Sequence, residues 1–441
     1  MLTPFEKARG RKVAAASEKP ADIPVHILLM NQFFWPDGAP TALLLEDVAK
    51  ELARRGCRVT VICSHGSYHE ARHDEAPPVR ILKAPGLPYS RTRLGRLFSW
   101  ITFLAWASFR SLFIGRVDLV LTMTTPPGLS VAGAVLKWLR KSQFWIWEMD
   151  LYPDVATALG AIKPNSLPAV IIGNLLHATR RQADGIIAIG SCMRNRLLDH
   201  DFGQVGLDPS QVFVAENWSD SRLIRAINLP VGGPLRVLYS GNLGLAHETD
   251  TIGQVILHLR NSDRVHFTFA GGGSRQREIK ALCELHDVKN VSFEPYVERQ
   301  KLSERLAQCH VGLVTLRPGC EGTLVPSKLY SILAAGRPIL YIGPDASAVA
   351  RIADEGCGWH VAPGDVQGAI ALIEQLSSDH ALLSEASVQA RRIFHKKYDK
   401  PQGAGRVVNL LLSALDDRKA ALTPGISEIP EPELVRESAS N

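Results

Sequence analysis

The 441-residue sequence contains no C-x-x-C pair. Its seven cysteines (57, 63, 192, 283, 309, 320 and 357) are odd in number, scattered, and free of metal-like Cys/His spacing. That argues against a disulfide framework and a zinc module, and favours a reducing compartment with the thiols as small core hydrophobes. No stretch reaches the roughly 18–20 uninterrupted apolar residues that a membrane span needs. No apolar segment follows the basic N-terminus, so no signal peptide is expected. Neither G-x-x-x-x-G-K-[ST] nor a clean G-x-G-x-x-G occurs, which lowers the P-loop and dehydrogenase readings. A net charge of +6 does not argue for nucleic acid.

Acidic residues are also missing locally. Between Glu75 and Asp118 there is none, whereas Arg80, Lys83, Arg91, Arg93, Arg96, Arg110 and Arg116 all fall there. Inside lies RLFSWITFLAWASFRSLFI, residues 96–114, with two Trp and four Phe. Such a segment suits a helix lying in a membrane interface, drawn to anionic head groups. The alternative is a helix buried in its domain with basic ends.

What is present is alternation. Short apolar runs such as VHILLM, RVTVIC, DLVLT, FWIWEM and GIIAI read as buried strands, separated by helical stretches. This order predicts a parallel sheet with helices on both faces. After a Pro/Gly-rich linker, LPVGGPL (229–235), the pattern restarts with RVLYS, VHFTFA, VSFE, VGLVTL and PILYI. The fold class is therefore α/β, with two doubly wound Rossmann-like domains facing a central cleft. The expected boundaries are a disordered extension at 1–22, domains at 23–230 and 231–395, a helix at 396–419 returning to the first domain, and a disordered tail at 420–441.

Within the second half, EGTLVPSKLYSILAAGRPIL (321–340) poses a question. Pro326 suits the first position of a helix that runs to Ala335, with Gly336 as its stop. Lys328 then occupies the positive end of an almost wholly apolar helix, where a cation is unfavourable. A docked diphosphate would reverse that balance, since the free N–H groups and Lys328 favour the same anion. The alternative is a lysine that extends to solvent. Gly-rich turns (NQFFWPDGAPTA, SGNLGLAHETD and AGGGSRQRE) could cradle anions or merely make sharp bends.

Together SGNLGLAHETDT, FAGGGSRQRE, LRPGCEGTLVPSKLYSILAAGRPIL and EMDLYPD resemble the family-4 glycosyltransferases of the GT-B fold. The resemblance spans roughly residues 24–415 and is strongest to the bacterial branch that builds capsule, O-antigen (lipopolysaccharide) and exopolysaccharide units. It implies a metal-independent, hexosyltransferase-type enzyme with no cofactor, moving a sugar from a nucleotide-diphosphate donor with retention. It further implies a lipid-linked saccharide acceptor in the first domain and a cytoplasmic, peripheral location on the inner face of the plasma membrane, against anionic lipid. Carried over residue by residue, Glu321 would contact the donor sugar, Lys328 the leaving diphosphate, and Asp150 is the aspartate that in the family follows a histidine, here Met149. Donor contacts are expected from Gly38, Gly241, Asn242, His247, Gly272, Gly273, Arg275, Gly322, Pro326, Ser327 and Ser331. No metal ligands are expected, and DHD at 199–201 reads as a solvated turn.

Two departures stand out. The family's ribose-binding glutamate is Ser331 here, whose hydroxyl does not accept from two ribose hydroxyls as a carboxylate does. The family's Arg/Lys pair appears as Asn242 and His247, so Lys328, His247 and backbone amides are expected to share the leaving-group work. These departures keep open a GT-B-fold binding protein that has lost catalysis. A nucleotide-sugar 2-epimerase of the same fold is a third reading.

Overall fold

The computed structural model describes residues 24–65, 75–85, 87, 92–199 and 206–422. The expected disordered ends lie outside the described residues except at 420–422, which are helical.

The first sheet has seven parallel strands. They are β1 (His26–Met30), β2 (Arg58–Ser64), β3 (Arg80–Ala84), β4 (Leu119–Met123), β5 (Gln143–Glu148), β6 (Gly185–Ala188) and β7 (Val212–Val214), in the order β3-β2-β1-β4-β5-β6-β7. The helices of this half are α1 (Pro40–Arg54), α2 (Arg93–Ser111), α3 (Ser130–Arg140), α4 (Asp154–Ala158), α5 (Leu167–Gln182) and α6 (Ser191–Leu198). β1 and β4 are buried at every position, as strands covered on both faces must be. The strand order reverses direction between β1 and β4, and in such sheets ligands bind beyond the carboxyl ends of the strands near that point.

The second sheet has six parallel strands in the order β10-β9-β8-β11-β12-β13. These are β8 (Leu235–Asn242), β9 (Val265–Gly272), β10 (Val291–Glu294), β11 (Val311–Thr315), β12 (Ile339–Ile342) and β13 (Gly358–Val361). Around them lie α7 (Asp250–His258), α8 (Ser274–Leu285), α9 (Leu302–Ala307), α10 (Lys328–Ala334), α11 (Ala348–Ile352), α12 (Val366–Ser378) and α13 (His380–Ile393). Separate apolar clusters fill the two faces of this sheet.

The last helix, α14 (Lys400–Leu422), packs on α1 and inserts Val407, Val408 and Leu411 into the core of the first sheet. Trp218 fixes this return. It stacks on Trp147 with ring centroids 5.8 Å apart, and its Nε1 donates to Asp47 at 2.9 Å. Val325 and Ala348 of the second half also join the first core, so the halves touch. Among the described residues, no helix is long and apolar enough to cross a membrane.

Candidate active site

Two strand ends in the second half are pinched together. β8 and β9 stay paired to their last residues, Gly241 opposite Gly271 and Asn242 opposite Gly272. Gly271 has φ +136°, and a Cβ there would sit 2.2 Å from the Gly241 carbonyl oxygen. Only glycine permits that approach. Beyond it, Leu243 N donates to Gly272 O at 2.7 Å, and Arg275 N, near the start of α8, donates to Leu243 O at 3.0 Å. Gly273 is the residue before α8. The turns are thus bound to each other at the mouth of the cleft.

The expected helix start at Pro326 is corrected: α10 begins at Lys328, and Ser327, an exposed residue, is its N-cap. The first turn is loose, with Leu329 N and Tyr330 N reaching back to Pro326 O and Ser327 O at 3.4 and 3.3 Å. Tight α-helical pairing sets in only later. The helix also stops one residue short, with Ala335 as its C-cap.

Lys328 is half-buried rather than extended to solvent. Its Nζ donates to Tyr239 Oη, lies 4.0 Å from the centre of the Tyr239 ring, and is 3.4 Å from His247 Nε2. The His247 Nδ1 is 2.9 Å from the Thr315 carbonyl oxygen, which assigns the proton to Nδ1 and leaves the Nε2 lone pair facing Lys328 Nζ. Tyr239 Oη donates in turn to Asn242 O at 2.9 Å.

Burial pulls the Lys328 pKa down to about 7. Burial, and then the neighbouring Lys328, push His247 down to about 3. His247 is therefore neutral at physiological pH. The expected sharing of positive charge between it and Lys328 is corrected: the imidazole holds the lysine as a neutral acceptor. A lysine held by two neutral groups has unspent affinity for an anion, and an anion arriving there would restore its charge.

The first half contributes Asp150, just beyond β5. Met149 N and Asp150 N both donate to Thr124 Oγ1, at 3.1 and 3.3 Å. Burial, and secondarily Glu148, raise the Asp150 pKa to about 6. Glu148 is itself paired with Arg180 at 2.7 Å in the interior. A hydrogen bond then reaches the other half, from Leu151 N to Thr323 O at 2.7 Å.

That contact draws the 321–323 loop onto the first half. Gly322 has φ +74°, and a Cβ there would lie 2.8 Å from the Cys192 carbonyl oxygen in α6. Arg196 of the same helix pairs with Asp154 at 3.1 Å and donates to Glu321 O at 3.4 Å. The Glu321 carboxylate accepts from Gly319 N at 2.7 Å.

The structure thus gathers Lys328, His247, Asn242 and Gly241 on one wall, with Glu321, Gly322 and Asp150 linked across the domain boundary. Gly38 sits in the β1–α1 loop, where Ala39 N donates to Asp37 Oδ1 at 2.8 Å. Arg275 pairs with Glu278 at 2.7 Å, one helical turn on. Ser331 is half-buried on α10, one turn from Lys328. Asp199 ends α6, while 200 and 201 lie outside the described residues. No three His, Cys, Asp or Glu side chains gather as a metal-binding group among the described residues.

Sequence reasoning missed Tyr239, Thr124 and Arg196. Tyr239 reads as strand core, and its one signal is a phenol three residues before Asn242, at the end of a strand that runs into a glycine turn.

A family model described as "Glycosyl transferases group 1" matches residues 234–379, and one described as "Glycosyl transferase 4-like domain" matches 42–218. The "Probable glycosyltransferase WbjE" of Pseudomonas aeruginosa is 28% identical over 59% of this chain and 66% of its own length. The "Putative colanic acid biosynthesis glycosyl transferase WcaI" of Escherichia coli (strain K12) is 22% identical over 51% of this chain and 56% of its own. Just under two thirds of the first relative and just over half of the second are therefore spanned. A crystal structure of Anabaena HepE with UDP and glucose superposes with a TM-score of 0.64 at 17% identity, covering 88% of this chain and 99% of that one. The chain belongs to the group 1 (family-4) glycosyltransferases and has the GT-B fold.

Proposed function

We propose that this member of the group 1 glycosyltransferases moves a sugar, with retention, from a nucleotide-diphosphate donor to a lipid-linked saccharide in cell-surface polysaccharide synthesis. The observation that carries the reading is the half-buried Lys328, held by two neutral partners at the mouth of the second sheet. In the reaction the bond between the anomeric carbon and the diphosphate oxygen breaks while a bond to an acceptor hydroxyl oxygen forms. The acceptor proton passes to water, and the nucleoside diphosphate departs with its charge increased. Lys328 is placed to neutralise that charge, with the exposed turn at Ser327 and the glycine turns admitting the phosphates closely.

Glu321 is assigned to the donor sugar and Asp150 to the acceptor side, beside the 321–323 loop. The names of WbjE and WcaI support a polysaccharide role, and the UDP complex of HepE makes UDP the first nucleotide to try. The acid-free segment around α2 supports a peripheral location on the inner membrane face.

The test is a thermal-shift panel of nucleoside diphosphates, followed by transfer from labelled nucleotide sugars to extracted bacterial lipids. One diphosphate should raise Tm, and its sugar should enter the lipid fraction. Binding without transfer would support a catalytically silent protein, and isomerised nucleotide sugar an epimerase; either sinks the proposal.

Ser331 offers a second check. A glutamate there would stand one turn from Lys328 (i, i+3) and pair with it, neutralising the cation that the diphosphate needs. Ser331→Glu is therefore expected to weaken nucleoside diphosphate binding in calorimetric titration. Binding tighter by about 1–3 kcal/mol, as a restored ribose contact would give, contradicts this view of the position.

A further inference from the structure

The first half exposes an apolar surface much larger than the segment that the sequence singles out. α2 is apolar on both sides. Ser99, Phe103 and Ala107 are buried, while Leu94, Phe98, Ile101 and Phe109 are each more than half exposed on the outside. The choice between a core helix and an interfacial helix dissolves, because α2 packs with one face and presents the other. α3 lies against both α2 and α5. It adds Trp138, 80% exposed, and Leu139. α5 adds Leu167, Val170, Ile171 and Leu175, spaced i, i+3, i+4 and i+8 along one stripe. Three neighbouring helices that all turn apolar residues outward exceed what a soluble monomer ordinarily exposes in one patch.

The charge around this surface has one sign. Residues 93–111, 130–140 and 167–182 contain no Asp or Glu. Arg110, Arg140 and Arg181 belong to the same helices, and Lys137 of α3 is paired with Asp184. The acids closest in sequence are engaged: Asp118 with Arg116, Glu148 with Arg180, and Asp184 with Lys137.

We propose that α2, α3 and α5 together form a docking face for an anionic lipid bilayer, with Trp138 and the α5 stripe as anchors equal to α2. A second copy of the chain is disfavoured as occupant, since self-docking would set arginine against arginine. An anionic lipid surface accepts both the apolar side chains and the basic rim. The topology adds an orientation. α2 and α5 each lead into the start of a strand, β4 and β6, so their N-terminal ends lie at the carboxyl edge of the sheet, which is the cleft side. Leu94 and Leu167 stand at those ends. The lipid-facing surface thus reaches the rim of the cleft, where a lipid-linked acceptor would enter without leaving the bilayer.

This deepens the membrane part of the function proposed above, and vesicle binding without nucleotide tests it apart from glycosyl transfer. The full chain is sedimented with vesicles of phosphatidylcholine, alone or mixed equally with phosphatidylglycerol. Wild type should bind the mixed vesicles, less so as salt rises. The triple variant Trp138→Ala/Ile171→Ala/Leu175→Ala, with α2 intact, should partition at least about tenfold less while keeping the wild-type Tm. Leu285→Ala, at an exposed site in the second half, should change nothing. The proposal is overturned if wild type ignores anionic vesicles or the triple variant binds like wild type. It is equally overturned if wild type is a dimer in sedimentation velocity that the triple substitution separates.

Discussion

Lys328→Ala is expected to lower kcat by about 10²–10³, the loss of about 2–4 kcal/mol that follows removal of a preorganised group from the site of developing charge. The position of Nζ is fixed before the donor arrives, by Tyr239 Oη and by a His247 ring that Thr315 holds in one tautomer. It needs no reorganisation as the diphosphate leaves. Stability should move differently from activity. The folded pKa of about 7 lies below the ordinary 10.5, so the unfolded chain binds a proton that the folded chain releases between those values. Stability from this group therefore rises with pH across that window and is lost as pH falls through it. A methionine that keeps the packing without the ammonium should match or exceed wild-type Tm at pH 7. Steady-state kinetics and thermal melts on both variants check this. A variant with near-wild-type kcat, or a Lys328→Met protein that melts far below wild type, assigns the lysine to structure instead.

Donor affinity should fall as pH rises through 7, by up to about tenfold per unit, reaching about fiftyfold between pH 7 and 9. In the free protein Lys328 gives up its proton near pH 7, whereas a bound diphosphate stabilises the charged form, so binding above that pH takes up a proton. His247, at about 3, stays neutral over the range. The terminal phosphate of a nucleoside diphosphate is already ionised above pH 7, its own pKa being near 6, so its titration does not mimic the effect. Calorimetry at pH 8 in two buffers of different ionisation enthalpy reads the proton directly. Uptake should approach one proton per site in wild type and vanish in Lys328→Met. A flat affinity between pH 7 and 9 contradicts the assignment.

The strands and the two-sheet plan were legible because parallel strands covered on both faces are continuous apolar runs, and VHILLM or PILYI scarcely admit another reading. Lys328 was legible for a different reason: a cation at the head of an apolar helix is a local conflict, and such conflicts gather at functional sites. The start of α10 was misplaced by two residues because Pro326 satisfies the rule for a first helical position while the chain is still in a loose turn. Tyr239 was invisible because a tyrosine in an apolar strand reads as ordinary core, and its contacts with Lys328 have no sequence signature. His247 could be named but not given its role, since its charge depends on burial and on Lys328, neither of which has a sequence signature. The outward faces of α3 and α5 were hidden likewise. Ile171 and Leu175 look like core residues until the packing shows that Ala169 and Leu176 are the ones turned inward.

The central claim, that Lys328 receives the donor diphosphate, is tested most directly by titrating wild type and Lys328→Met with UDP and the other nucleoside diphosphates in the presence of EDTA at pH 7. Wild type should bind one of them at a single site per chain without metal, and Lys328→Met should bind the same nucleotide at least about tenfold more weakly. Equal affinity in the two proteins, or binding that appears only when a divalent cation is supplied, would contradict it.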